Sequence, residues 1–180
     1  SKLEFKNGDY QSSSPEPFFN LTLPIPNKKD VTLYDCFDKY TEKEVMDGDN
    51  KVTNEKTDEK EECTKQLMFF SLPQILIIIL KRFGNNLRRK NTVVDIPLAN
   101  LDLNKYVVGY QDRNTKYDLY GICNHMGTHM GGHYTAYVKV KDGNWYHFND
   151  RSVTKFNGNL ISRDSYCLFY RKKKTKLTIY

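Results

Sequence analysis

Several things are scarce in this chain, and each scarcity excludes something. The longest uninterrupted apolar run is Ile75 to Leu80, too short to cross a bilayer as a helix. No basic-then-apolar leader opens the chain, so no secretory signal is read. The first residue is Ser1 rather than Met, which points to a fragment or a processed piece. Cysteine is sparse, with 4 residues at positions 36, 63, 123 and 167 and no CxxC pair among them. That spacing fits neither a zinc ribbon nor a dithiol redox motif. It fits an intracellular chain with reduced thiols, in the cytoplasm or nucleus. Neither sign of charge dominates: 28 basic against 22 acidic residues leave +6, much of it in the closing run from Arg171 to Lys176. So mild an excess, without a basic face interleaved with aromatics, does not indicate a nucleic-acid binder.

What is present is a folded chain of 180 residues, with 38% hydrophobic and 13% aromatic side chains. That is one domain's worth of sequence, and too aromatic for a disordered tail. Residues 1–14 read as an irregular or weakly paired strand region. Phe19, Leu21, Leu23 and Ile25 alternate as in a half-buried strand that Pro24 and Pro26 close. Thr32 and Asp35 have the spacing of a capping box. Behind it Leu33, Cys36, Phe37 and Tyr40 lie on one helical face, and the helix should end before the Asp47–Asn50 turn. Residues 51–66 are so charged that they must form a solvated arm or hairpin. Ile75–Leu80, apolar on both faces, predicts a central strand, with Lys81 and Arg82 returning it to solvent. Asn91–Ile96 is a further strand candidate. Tyr117–Cys123, His133–Val140, Trp145–Asn149 and Tyr166–Tyr170 predict a meander, with Asp142-Gly143 as a hairpin turn. Such an order of elements indicates an α+β or mainly β arrangement.

The densest chemical signal is the segment from Asn124 to Tyr134. His125, His129 and His133 lie four apart, a spacing that on a helix would face zinc, but three glycines argue against a helix here. The alternative is a mobile glycine-rich loop ending in Gly131-Gly132, with His133 opening a strand as a general base. Asn149 and Asp150, at the end of the next strand, could then orient the imidazole. A structural histidine on a hairpin remains the competing reading.

Four segments resemble the ubiquitin-specific proteases, papain-like cysteine deubiquitinases. They are Leu72–Phe83, Tyr117–Tyr120, Gly131–Tyr137 and Trp145–Asp150; Glu16–Phe18, Leu33–Phe37 and Asp47–Lys51 look similar too. The resemblance runs from about residue 5 to residue 171. It implies the palm and fingers of a right-hand fold, mainly antiparallel sheet with few helices, with fingers at about 1–14 and 50–66 and a basic tail at 172–180. It implies His133 as catalytic base and Asn149 as third triad member, with Asp150 assisting or substituting. Met126, Gly127, Thr128, His129 and Met130 match a blocking loop beside the ubiquitin tail. Gly131, Gly132 and Tyr134 match the channel for its terminal glycines, and a loop near Leu101–Asp112 borders it.

Departures from the family pattern shape the expectations. No early Cys box of the Gly-Asn-Thr-Cys-Tyr type is present, so the nucleophile and thumb are expected from a missing N-terminal segment. Cys36, Cys123 and Cys167 are read as small buried hydrophobes. Where many relatives carry zinc-binding cysteines, this chain has Phe5, Gly8, Asn54 and Thr57, so neither metal nor cofactor is expected. Ile79 stands where relatives often have His and is read as core. The expected partners are ubiquitin and ubiquitinated proteins, with no membrane. The competing function is an inactive ubiquitin-binding or scaffolding fragment.

Overall fold

The computed structural model describes residues 1–5, 11–84, 86–109 and 114–174. In chain order the first strands are β1 (Lys2–Phe5), β2 (Gln11–Ser13), β3 (Leu21–Pro24) and β4 (Val31–Thr32), followed by α1 (Leu33–Tyr40). Next come β5 (Glu44–Met46), β6 (Val52–Asn54), β7 (Glu59–Glu61), β8 (Cys63–Gln66) and β9 (Ile75–Lys81). Then follow β10 (Val94–Asp95), β11 (Leu101–Asp102), β12 (Lys116–Thr128) and β13 (Gly131–Lys139). The last three are β14 (Trp145–Asn149), β15 (Ser152–Phe156) and β16 (Ser165–Lys172).

The main sheet has 8 strands in the order β15-β14-β13-β12-β16-β9-β3, with β11 added beside β12. All its pairings are antiparallel except β3 with β9. A second sheet has the order β2-β1-β8-β5, and β6 and β7 form a separate hairpin. This is the α+β palm-and-fingers arrangement, mainly antiparallel with one helix among the described residues.

The core lies on one face of the main sheet. Leu76, Ile78 and Leu80 of β9 meet Leu168 and Tyr170 of β16, with Leu21 and Leu23 of β3 beside them. The helix α1 closes this face with Leu33, Cys36 and Phe37, and Phe37 stacks on Tyr106 at 5.2 Å between ring centroids. Only alternate residues of β9 are fully buried, and Ile75 is 39% exposed. The expectation of a strand buried on both faces is therefore corrected: its second face is half-covered.

The helix starts where its capping box predicts. The Asp35 N–H donates to Thr32 Oγ1 at 3.2 Å, and the Thr32 N–H donates to Asp35 Oδ2 at 2.8 Å. Lys28 donates to the other Asp35 oxygen at 2.6 Å. Led by the Lys28 hydrogen bond and then by Thr32, these contacts hold the Asp35 carboxyl at about 2. The folded pKa lies below the ordinary 3.8, so this contribution is present above about pH 4 and is lost as pH falls through about 2. Thr32→Ala should lower stability by about 1 kcal/mol in a denaturant titration at neutral pH, and by less at pH 2.

Other local expectations need correction. The helix does stop before the Asp47–Asn50 turn, at Tyr40, but Glu44–Met46 in between forms an unexpected strand against β8. Of the two alternatives for residues 1–14, the strand is the one found: 2–5 and 11–13 are paired, and the pairing is regular. Phe19 is 93% exposed, because β3 begins only at Leu21. The candidate strand at 91–96 shrinks to β10, paired in parallel with β4. β15 follows Asn149 through a two-residue turn and forms a sheet edge that no apolar alternation announced. Arg82 does not return to solvent; it is 1% exposed. β16 runs through Lys172, which is buried, so the strand passes the expected start of the tail; positions 175–180 lie outside the described residues.

Candidate active site

The long β12–β13 hairpin positions the residues singled out above. The register runs unbroken from Gly121↔Val138 to Thr128↔Gly131, leaving His129 and Met130 as the tip. The expected mobile loop is thus a tight hairpin, and His133 is the third residue of its strand instead of the first. Glycine hides the strand in sequence, because its β propensity is low. Here glycine is required by space. Gly127 has φ +136, and a Cβ there would lie 2.6 Å from Gly132 Cα, its ladder partner. A Cβ on Gly132 would lie 2.6 Å from His125 Nε2 and would also strike the Met126 carbonyl.

His133 lies on the face that also carries Thr135 and Tyr137. Its Nε2 is 2.6 Å from Asn149 Oδ1, at the last residue of β14. An amide oxygen only accepts, so the imidazole donates from Nε2 and its Nδ1 keeps the lone pair. His133 is exposed and Asn149 is half-buried. Asp150 is the first residue of the β14–β15 turn, exposed, with φ 50. It adopts the left-handed conformation that Asp tolerates better than most residues, and no hydrogen bond joins it to His133.

Two of the three spaced histidines do not converge on His133. His125 is buried on the opposite face, tilted against Tyr134 at 4.6 Å and Tyr166 at 5.7 Å between ring centroids. His129 is at the exposed tip. Met130 is 84% exposed and Tyr134 54%, so the hairpin presents apolar surface beside its glycines. Thr128, at the base of the tip, accepts from the Met130 N–H at 3.3 Å. The described part of the loop near Leu101–Asp112 holds β11 and a 3-10 turn at Asn104–Tyr106; positions 110–112 lie outside the described residues.

A supporting layer went unnoticed in the sequence. Asn124 lies opposite Ser165 on one side and Thr135 on the other, all three buried, with Asn124 Nδ2 donating to Thr135 Oγ1 at 3.4 Å. Arg89 Nη2 donates to the His125 carbonyl at 2.7 Å and to Asp164 Oδ1 at 3.1 Å, tying the hairpin to the start of β16. Buried polar residues along a strand, Asn124 with Thr135, were the available signal.

The thiols sit elsewhere. Cys36 and Cys63 are buried, while Cys123 and Cys167 are only half-buried, which corrects their assignment as buried hydrophobes. Within the β6–β7 hairpin, Asn54 and Thr57 both donate to Glu61 Oε1, at 3.1 and 2.5 Å. That pair closes the β6–β7 hairpin with side-chain hydrogen bonds. Phe5 is buried opposite Cys63, and Gly8 lies outside the described residues.

Comparison with known proteins agrees with this architecture. Residues 13–170 match the family model described as ubiquitin carboxyl-terminal hydrolase. Ubiquitin carboxyl-terminal hydrolase 2 of Gallus gallus is 40% identical over 177 residues, covering 94% of this chain and 49% of that protein. Ubiquitin carboxyl-terminal hydrolase 15 of Homo sapiens is 37% identical over 155 residues, covering 83% of this chain and 16% of that protein. A chain in the solved structure of the SAGA Ubp8/Sgf11/Sus1/Sgf73 DUB module bound to ubiquitin aldehyde superposes with a TM-score of 0.81 at 26% identity, over 97% of this chain and 40% of that one. The present chain thus spans about half the length of these relatives or less. With the family model covering nearly all of it, the chain belongs to the ubiquitin carboxyl-terminal hydrolase family.

Proposed function

We propose that this chain is the base-bearing part of a thiol protease that cleaves isopeptide bonds at the C-terminal glycine of ubiquitin. The observation that carries the reading is the 2.6 Å hydrogen bond from His133 Nε2 to Asn149 Oδ1. It leaves Nδ1 free, at the surface, to take a proton from a thiol. A neutral amide orients the ring without adding a charge that would have to be desolvated.

The nucleophile comes from outside residues 1–180. Burial pushes Cys36 and Cys167 up to about 11 and raises Cys63 and Cys123 as well. A nucleophilic thiol needs the opposite shift. In the complete enzyme a thiolate attacks the carbonyl carbon of ubiquitin's last glycine. The C–N bond breaks, and the lysine amine leaves with the proton that His133 held. Water then gives a proton to His133 and attacks the thioester, and the C–S bond breaks to release ubiquitin. Met126, Gly127, Thr128, His129, Met130, Gly131, Gly132 and Tyr134 line the approach of the ubiquitin tail. Gly131, around whose Cβ position nothing lies within 4 Å, allows its backbone close contact.

The test uses ubiquitin bearing a C-terminal electrophile. It is offered to this chain and to the chain joined to whatever upstream segment of its reading frame carries a Cys box. Labelling of the extended form only, abolished by His133→Ala, is the expected result. Labelling of the short chain through one of its own cysteines would overturn the external nucleophile. Binding without labelling in either form would make the protein an inactive ubiquitin binder.

A further inference from the structure

Two thiols that this chemistry leaves unused lie side by side. Cys123 on β12 and Cys167 on β16 are direct partners in the antiparallel ladder, so their side chains share a face. Directly opposed residues in such a ladder have Cα atoms about 4.5 or 5.5 Å apart, depending on the hydrogen-bond pattern; both spacings fall within the roughly 4.4–6.8 Å that a disulfide spans. Ile79 on β9 and Ala136 on β13 flank the pair in the same row and bring no charge to it. Both thiols are half-buried, within reach of a small oxidant. The other two cysteines are buried apart: Cys36 on α1, and Cys63 on β8 opposite Phe5 and Met46.

We propose that Cys123 and Cys167 form a redox-modification site, joined by a cross-strand disulfide when the chain meets a peroxide. The thiolate of Cys123 attacks one peroxide oxygen; the O–O bond breaks and hydroxide leaves, giving a sulfenic acid. The thiolate of Cys167 attacks that sulfur; the S–O bond breaks, the S–S bond forms and a second hydroxide leaves. Each hydroxide takes up one of the two thiol protons, so two thiols and one peroxide become one disulfide and two waters. Burial, and after it a charge on Cys123, raises the Cys167 thiol, as expected for two half-buried neighbours in one row of the sheet. Burial slows the first step, while the ladder register speeds the second by fixing its partner. The bond would tie β12 to β16 beside the irregularity that Tyr166 introduces. The inference does not depend on a catalytic role for His133.

The folded 180-residue chain is treated with hydrogen peroxide in mildly alkaline buffer, alkylated and peptide-mapped without reductant. A Cys123–Cys167 crosslink with Cys36 and Cys63 still alkylated is expected, and Cys123→Ser or Cys167→Ser should each abolish it. In denaturant, loop closure favours Cys36 with Cys63, the pair closest in sequence, so the expected crosslink is a marker of the folded sheet. Crosslinks to Cys36 or Cys63 in the folded chain overturn the proposal. So does sulfinic acid on Cys123 without a bridge, or thiols that stay reduced at peroxide levels that oxidise the denatured chain.

Discussion

Replacing His133 by alanine in the complete enzyme is expected to cut turnover of a ubiquitin C-terminal amide by roughly a hundred- to ten-thousand-fold. Binding of ubiquitin should change little, because the hairpin keeps its ladder around residue 133 and the lost group acts on the reacting bond. The loss should therefore appear in kcat and leave KM nearly unmoved. Asn149 separates geometry from chemistry. Asn149→Asp keeps an oxygen where His133 Nε2 is met at 2.6 Å and should retain much of the activity. Asn149→Ala leaves the ring free to rotate and should lose more. Asp150 is the adjacent carboxylate, yet it occupies a turn at φ 50 with its side chain in solvent. Compensation would require the turn to re-form with the carboxylate pointing back. Residual activity in Asn149→Ala that vanishes in the double variant with Asp150→Ala would demonstrate that rescue; equal and complete loss in the single variant would exclude it. A His133→Ala enzyme with unchanged kcat would remove the base assignment altogether.

The sequence exposed those features that depend on neighbours in the chain. The capping box of Thr32 and Asp35, the turn at Asp142-Gly143, and the strand from Trp145 to Asn149 are all local signals, and each is found where the pattern puts it. The pairing of His133 with Asn149 was legible for the same reason: a short hairpin separates them. Features that depend on distant partners were not legible. β5 is three residues of Glu, Val and Met, with too little alternation to announce a strand, and exists because β8 pairs with it. β15 presents an exposed edge, so burial imposes no pattern on it. The glycines of the β12–β13 hairpin looked like a loop because only the facing strand reveals why a side chain would not fit. The opposition of Cys123 and Cys167 appears only once the sheet order is known, since β12 and β16 are separated by three other strands in sequence.

Arg82 is the strongest case of that kind, and its replacement should give the largest loss of stability. Next to Lys81 it reads as the charged end of a strand. In the fold Lys81 is exposed, while Arg82 turns inward and is 1% exposed. Its Nε donates to the Ser165 carbonyl at 2.7 Å, and its Nη1 donates to the carbonyls of Lys90 and Thr92 at 3.0 and 2.9 Å. One planar fork thus fastens the 90–92 segment to the start of β16, beside the Asn124 layer that supports the site. Burial, with the charge of Arg89 nearby, lowers Arg82 to about 10, although Asp164 opposes the shift. The guanidinium remains charged at neutral pH; Nε and Nη1 donate to backbone carbonyls, Asp164 lends a favourable charge, and Nη2 is buried without a hydrogen-bond partner among the described residues. Arg82→Ala removes three donors at once and leaves a cavity. The buried Ser165 carbonyl left unpaired costs about 1–3 kcal/mol and the two part-buried carbonyls less each, so with the cavity a loss of roughly 3–5 kcal/mol is expected, a large part of the ~5–15 kcal/mol that holds a domain together. At about 2–4 °C per kcal/mol for a chain of this size, the melting midpoint should fall by roughly 10 °C. Arg82→Lys keeps the charge but cannot satisfy three carbonyls in two directions, and should recover only part of the loss. Arg82→Met fills the space without any donor. It removes a desolvated charge, which favours the fold, and orphans the carbonyls, which opposes it; three orphans against one charge already solvated by them should leave it below Arg82→Lys. Thermal unfolding of the three variants gives that order, and hydrogen exchange at the 90–92 segment locates the damage. A methionine variant as stable as the parent would mean that the carbonyls find other donors, and that the fork does not fasten this part of the sheet.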